Sequence, residues 1–233
     1  MKSNLAYAPV PRPGLYDAAI HSVVAATLRT FGPLHTTGSD VLAQQEGGFI
    51  LAPAHRSQLD ILAIGAMAHH AIGAQVHFLG KQELWTKPYM VGTRRVFSAL
   101  GAIPVDRSKP LPNETRVRIG SILERAGVIC IYPEGHRMRG DTFPPKSLKD
   151  TVAVLAASYQ APIVPVGITG TEKGNRAPIA VAVGEPIDVA SLAPEASQNF
   201  RQAVRARKLI MPLLYERLQA AQDEAVRLRQ KLL

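Results

Sequence analysis

The sequence predicts an α/β fold with a mixed, largely parallel sheet flanked by helices. Short apolar runs alternate with longer segments of helical periodicity along most of the chain. Hydrophobic residues make up 46% of the 233 positions and charged residues 19%, enough apolar material for a sizeable core. No run reaches the roughly eighteen apolar residues that a transmembrane helix needs.

Taken in order, the first element is a helix over 14–31. Leu15, Ala18, Ala19, Val23, Ala26 and Thr27 recur at helical spacing there, and Ile20, Val24 and Leu28 broaden the face. A strand over 48–53 contains the apolar run Phe49-Ile50-Leu51-Ala52, and a helix over 58–70 follows. Strands over 75–79, 102–105 and 127–131 are separated by helices over 88–99 and 113–126. The strand over 127–131 contains Cys130, the only cysteine, which reads as a buried structural thiol with no disulfide partner in the chain. A helix over 147–160 precedes strands over 163–167 and 178–183. Pro165 lies within the first of these, and proline there implies an edge position or a bulge. A basic helical segment over 197–231 closes the chain, with Val204, Leu209, Leu213, Leu214, Leu218, Val226 and Leu228 among its arginines and lysines. Pro212 is expected to kink or break it. No repeat or linker interrupts the pattern, so residues 1–233 are expected to form one domain, with Pro144-Pro145 in an internal loop.

Lysine and arginine number 27 against 18 acidic residues, a net charge of +9. That surplus suits nucleic acid, an anionic membrane or an anionic substrate. Aromatic residues are 6% and no nucleic-acid motif is present, which argues against a single-strand stacking platform. The stretch Met1 to Gly14, with Pro9, Pro11 and Pro13, has no apolar signal-peptide core, so a cytoplasmic location is expected. The absence of G-x-S-x-G, H-E-x-x-H and G-x-G-x-x-G argues against a serine hydrolase, a zinc protease and a dinucleotide enzyme. His69-His70 lacks the aspartate that a condensation-type acyltransferase would place at Ala74. His21, His35, His69, His70 and His77 read as packed or solvated side chains, and Phe78 and Trp85 as core.

Chemistry concentrates at strand ends. Ala54-His55-Arg56-Ser57-Gln58-Leu59-Asp60 joins the strand over 48–53 to the next helix. Histidine titrates near neutrality as a residue type and can take a proton from an alcohol. A neighbouring carboxylate can set its tautomer and stabilise the imidazolium. Ser57-x-x-Asp60 also fits a helix capping box, a role compatible with the first. Gly101-Ala102-Ile103-Pro104-Val105-Asp106-Arg107 ends a strand in an arginine, whose planar fork suits phosphate. Ile131-Tyr132-Pro133-Glu134-Gly135-His136-Arg137 puts Glu134 and Gly135 on a turn where a backbone N–H can approach an anion. Ala161-Pro162-Ile163-Val164-Pro165-Val166-Gly167 is the fourth block.

The order and spacing of these blocks resemble the glycerolipid acyltransferase family, typified by the lysophosphatidic acid acyltransferases of bacteria. The family's blocks read N-H-x-x-x-x-D, G-x-I-x-x-D-R, F-P-E-G-T-R-S and V-P-V, and Lys81-Gln82-Glu83-Leu84 is similar to its K-x-E-L. The resemblance runs from about Gly38 to Pro186. It implies His55 as general base, Asp60 as its orienting partner, and Arg107 in the acceptor's phosphate site. It also implies that Glu134, Gly135 and Arg137 shape the acceptor pocket, with Lys81 a further phosphate contact. The implied reaction moves a fatty acyl group from acyl-CoA or acyl-carrier protein to the hydroxyl of 1-acylglycerol-3-phosphate. It uses no metal and no cofactor beyond the acyl donor. With a lipid acceptor, the basic charge and the lack of a spanning segment lead to an expected peripheral location on the inner face of the cell membrane. Ala54 stands where the family has asparagine, His136 and Met138 where it has threonine and serine, and Leu148-Lys149-Asp150-Thr151 where it often has F-K-x-G. These departures lie beside the base and on the acceptor side. They leave open acylation of glycerol-3-phosphate or of another lipid or glycan hydroxyl. A non-catalytic basic membrane-binding module is a separate alternative, against which the intact His55 and Asp60 speak.

Overall fold

The computed structural model describes residues 30–83, 101–106, 109–144, 147–172 and 176–233, together with Ala18, Ser22, Val24, Ala26 and Ser98. Its described residues form a seven-stranded sheet: β1 (Leu34–Thr37), β2 (Phe49–Pro53), β3 (Val76–Lys81), β4 (Ile103–Val105), β5 (Val128–Cys130), β6 (Ile163–Thr169) and β7 (Ile179–Val183). The order across the sheet is β1-β7-β6-β2-β5-β3-β4. Every pairing is parallel except β6 with β7. The expected mixed, largely parallel sheet is therefore present.

The central strands show why they form. All five residues of β2 and all seven of β6 are buried, the near-continuous apolar composition of strands covered on both faces. Cys130 is buried in β5, and burial pushes its thiol well above the usual range. β1 was not anticipated. It is Leu-His-Thr-Thr, half-exposed at the sheet edge, with no apolar run to mark it.

Pro165 is not on an edge strand, because β6 lies between β2 and β7. It sits where the antiparallel register shifts. Three steps along the chain from Ile163 to Val166 face four steps from Ile187 back to Val183. The missing proline N–H thus falls on the irregular step of the ladder, as in a bulge.

The helices are α1 (Asp60–Ile72), α2 (Asn113–Glu124), α3 (Thr151–Tyr159), the short α4 (Val189–Leu192) and α5 (Phe200–Leu232). α1 packs against β3 and β7, while α2, α3 and α5 pack on one another and on β2, β5, β6 and β7. The described positions within 14–31 are helical, and Leu15, Ile20 and the others lie outside the described residues. The helix over 88–99 also falls outside them, apart from helical Ser98. α3 starts at Thr151, not at 147. The backbone before it is committed elsewhere: Ser147 N–H donates to the Pro144 carbonyl, and Lys149 N–H to the Pro133 carbonyl at 2.7 Å.

α5 runs unbroken through Pro212, contrary to a break there. Asn199 caps it by accepting the Gln202 N–H at 3.0 Å. Pro212 is exposed, while Ala203, Ala206, Ile210, Leu214, Leu218, Ala221, Gln222 and Ala225 form a buried stripe. Packing of that stripe offsets the roughly 3 kcal/mol cost of an interior proline. The stripe's alanines bring the helix close to β6. A Cβ on Gly167 would lie 2.1 Å from the Ala221 carbonyl oxygen. Gln222 uses that proximity. Its Oε1 accepts the Ile168 N–H at 3.0 Å and its Nε2 donates to the Ile168 carbonyl at 3.1 Å. The last residue of the β2 side to bond β6 is Ala54, through the Val166 carbonyl, so a side-chain amide replaces strand pairing beyond it.

This close approach predicts that Gly167→Ala destabilises the protein by about 1–3 kcal/mol, the range for overpacking a tight contact. Urea unfolding of the variant beside the wild type measures it, and an unchanged midpoint would show that helix and strand can separate at no cost.

Candidate active site

The parallel strands bring the sequence blocks to one edge of the sheet, at their carboxyl ends, where open α/β folds place their ligand sites. His55 follows β2, Tyr132 and Glu134 follow β5, Asp106 follows β4, and Lys81 is the last residue of β3. Lys81 is exposed and stands in register with Val105. Arg107 lies outside the described residues.

His55 Nδ1 is 2.9 Å from Asp60 Oδ2. Asp60 is fully buried and begins α1, where the helix dipole favours a carboxylate. Its Oδ2 also accepts the backbone N–H of Arg56 at 2.6 Å and of Ser57 at 2.8 Å. The Ser57 bond has the form of the carboxylate half of a capping box, but the helix's N-cap is Leu59, which carries no side-chain cap, and the Ser57 hydroxyl accepts the Leu59 N–H at 2.9 Å, so the expected capping box does not form. The other carboxylate oxygen, Oδ1, accepts the Thr171 hydroxyl at 2.6 Å. Because a carboxylate only accepts, Nδ1 carries the hydrogen and Nε2 is left with its lone pair. A histidine so held can serve as a base through Nε2.

The backbone of His55 is gripped by the 134–138 loop. Its N–H donates to Glu134 Oε2 at 2.8 Å, and its carbonyl accepts the Met138 N–H at 2.8 Å. The ring stacks on Tyr132, with centroids 4.1 Å apart. Glu134 Oε1 accepts from Arg56 Nη1 at 3.0 Å, and this ion pair is almost wholly buried. The Arg56 guanidinium also lies 5.0 Å from the centre of the Phe143 ring. Both oxygens of Glu134 therefore hold the histidine loop. Gly135, at φ 70°, closes the turn by donating its N–H to the Tyr132 carbonyl at 3.1 Å. Arg137 is exposed just beyond.

A cavity of about 170 Å³ is lined by Tyr132, Leu79, Asp106, Lys109, Gly135 and Lys149 among others. Arg56, Thr171, Tyr132, Lys109 and Lys149 had no assigned role in the sequence blocks. The signal for Thr171 and Tyr132 was positional, since each follows a buried strand that ends at this edge. Lys149 was marked only as the lysine of the segment that stands where the family often has F-K-x-G, and Lys109 carried no comparable mark.

Burial pushes Glu134 up to about 7, against the pull of the Arg56 guanidinium and the His55 N–H. The folded chain thus binds a proton at Glu134 more tightly than the unfolded chain, whose carboxyl titrates near 4.5. The stability that this group contributes is fully present below 4.5 and is lost as pH rises through 7. The unfolding free energy of the wild type should therefore fall relative to that of Glu134→Gln, by on the order of 3 kcal/mol across this window. Above it the difference should be flat. Urea unfolding of both proteins at a series of pH values checks this, and a constant difference would mean that the Glu134 carboxyl titrates alike in the folded and unfolded chain.

No curated protein matches the chain. Among solved structures, it is similar to the 1-acyl-sn-glycerophosphate (LPA) acyltransferase PlsC from Thermotoga maritima, with a TM-score of 0.63 at 20% identity. That match covers 88% of this chain and 78% of the other, and shows a shared fold. The family model described as Acyltransferase matches residues 34–169, from the first strand through the last residue of β6 and more than half of the chain. On that match the chain belongs to the acyltransferase family.

Proposed function

We propose that this enzyme transfers a fatty acyl group from acyl-CoA or acyl-carrier protein to the hydroxyl of 1-acylglycerol-3-phosphate, giving phosphatidic acid. The observation that carries this reading is the 2.9 Å contact of His55 Nδ1 with buried Asp60, which leaves Nε2 as the base. The similarity in fold to a 1-acyl-sn-glycerophosphate acyltransferase from Thermotoga maritima supports the choice of acceptor.

His55 Nε2 takes the acceptor's hydroxyl proton as the oxygen attacks the thioester carbonyl. Asp60 stabilises the imidazolium that forms. The tetrahedral intermediate expels the thiolate, which recovers the proton from His55, so an ester and a free thiol leave. The thioester is already activated and no acyl-enzyme is needed. Lys81, Arg107 and Arg137 hold the acceptor's phosphate, and Lys109 and Lys149 add positive charge around the cavity. Glu134 and Gly135 serve by fixing the loop under His55. The unit is a single acyltransferase domain over 1–233, and its co-substrate is the only cofactor it uses.

The test is release of free thiol from acyl-CoA in the presence of 1-acylglycerol-3-phosphate, with mass spectrometry of the lipid product. Folded His55→Ala should lose about a hundred- to ten-thousand-fold in rate, the usual worth of a positioned base. Wild-type turnover by that variant would remove the mechanism. Preference for a phosphate-free acceptor would move the activity to another lipid hydroxyl.

No helix among the described residues is long and apolar enough to cross a membrane. The net charge of +9 supports peripheral binding to the anionic inner face of the cell membrane through the terminal helices. Co-sedimentation with anionic vesicles should be strong at low salt and weak at high salt, and absent with neutral vesicles. Lack of binding to anionic vesicles at low salt would restrict the enzyme to acceptors delivered from solution.

A further inference from the structure

We infer that Thr171 is a positioning residue for acyl transfer: its hydroxyl sets the plane of the Asp60 carboxylate and so the aim of that carboxylate at His55. The inference rests on the proposed role of His55 as base.

The donors to Asp60 fall into two groups. All three on Oδ2 come from residues 55–57, within the short loop that leads into Asp60 itself. They belong to a single loop and hold one oxygen only. A carboxylate held at one oxygen can still turn about its Cβ–Cγ bond, a soft torsion with a broad minimum. Oδ1 has one donor among the described residues, Thr171 Oγ1 at 2.6 Å, which comes from 111 positions further along the chain. Thr171 is 2% exposed and Asp60 fully buried, so water does not compete for this bond. The acceptor has no hydrogen to give, so the hydroxyl must donate.

Thr171 is itself placed by a rigid base. It follows β6, which is paired on both sides, and Thr169 stands in register with Ala180 of β7. Gln222 of α5 grips Ile168 through both backbone groups. At Gly170 the backbone approaches β7 so closely that a Cβ would lie 2.5 Å from the Pro178 carbonyl oxygen. One fixed hydroxyl and one fixed loop thus hold the two carboxylate oxygens from opposite directions.

Thr171→Val keeps the shape and removes the donor. In folded protein it should lower kcat about ten- to hundred-fold, the cost of losing a partner that orients a functional ligand. The KM for acceptor and for acyl donor should each change less than about two-fold, because the contact touches neither substrate. Thr171→Ser should restore most of kcat. In an Asp60→Asn background, Thr171→Val should cost little more, since residues that act as a unit are not additive. A folded Thr171→Val enzyme with wild-type kcat would overturn the inference, as would full additivity with Asp60→Asn. Thr171→Ala gives the same reading if the valine variant does not fold. His55→Ala separates the two levels. An active His55→Ala enzyme removes the base itself, whereas an inactive one beside a fully active Thr171→Val removes only the part assigned to Thr171.

Discussion

Asp60 places a carboxylate in the interior with no exposed surface, and much of the surrounding structure follows from that. A buried charge is tolerated only where donors replace the water it has lost. Here the replacements are two backbone N–H groups, an imidazole and a hydroxyl. The loop after β2 must fold back so that the amides of Arg56 and Ser57 point at one oxygen. The helix α1 must start at Asp60, and β6 must continue far enough to bring Thr171 to the other oxygen. β2 and β6 are neighbours in the sheet, so the two sources arrive side by side. Parallel pairing matters here, because it brings both strand ends to the same edge.

A second buried pair repeats this logic one strand away. Glu134 and Arg56 neutralise each other under the histidine loop, and Glu134 also holds the His55 N–H. Pairs of this kind seldom add much net stability, but removal of one partner leaves an expensive orphan. Their clearest effect is geometric. The loop after β5 and the loop after β2 cannot shift independently, so the imidazole has its backbone, its ring face and its Nδ1 all fixed.

The core strands were legible because they are buried on both faces and so read as apolar runs of strand length. β1 was not, since a four-residue edge strand carrying His35, Thr36 and Thr37 buries little and leaves no pattern. Pro165 shows a rule with two outcomes, edge or irregularity, and only the position of β6 in the sheet decided between them. His55 and Asp60 were legible because their chemistry is local, five residues apart. Thr171 was not, because a threonine after a strand is ordinary and its partner lies far back in the chain. The importance of Arg56 was hidden for the same reason, as its partner Glu134 is 78 positions away. Of the two outcomes expected at Pro212, a break does not occur, because the cost of proline is intrinsic whereas the packing that offsets it is tertiary.

The grip of Gln222 on Ile168 has a consequence for how the protein is made. A ribosome delivers the chain from its amino end, and domains tend to settle as their segments emerge. His55 and Asp60 appear first, yet the strand end that carries Thr171 is secured by a helix whose Gln222 is translated long after both. That same helix supplies Tyr215 to the Phe143 carbonyl and Gln219 to the Phe143 N–H, beneath the loop that holds Arg56. A nascent chain can therefore display the histidine and its carboxylate without the frame that orients them. The site closes only after Gln222 and the helix that carries it have been made.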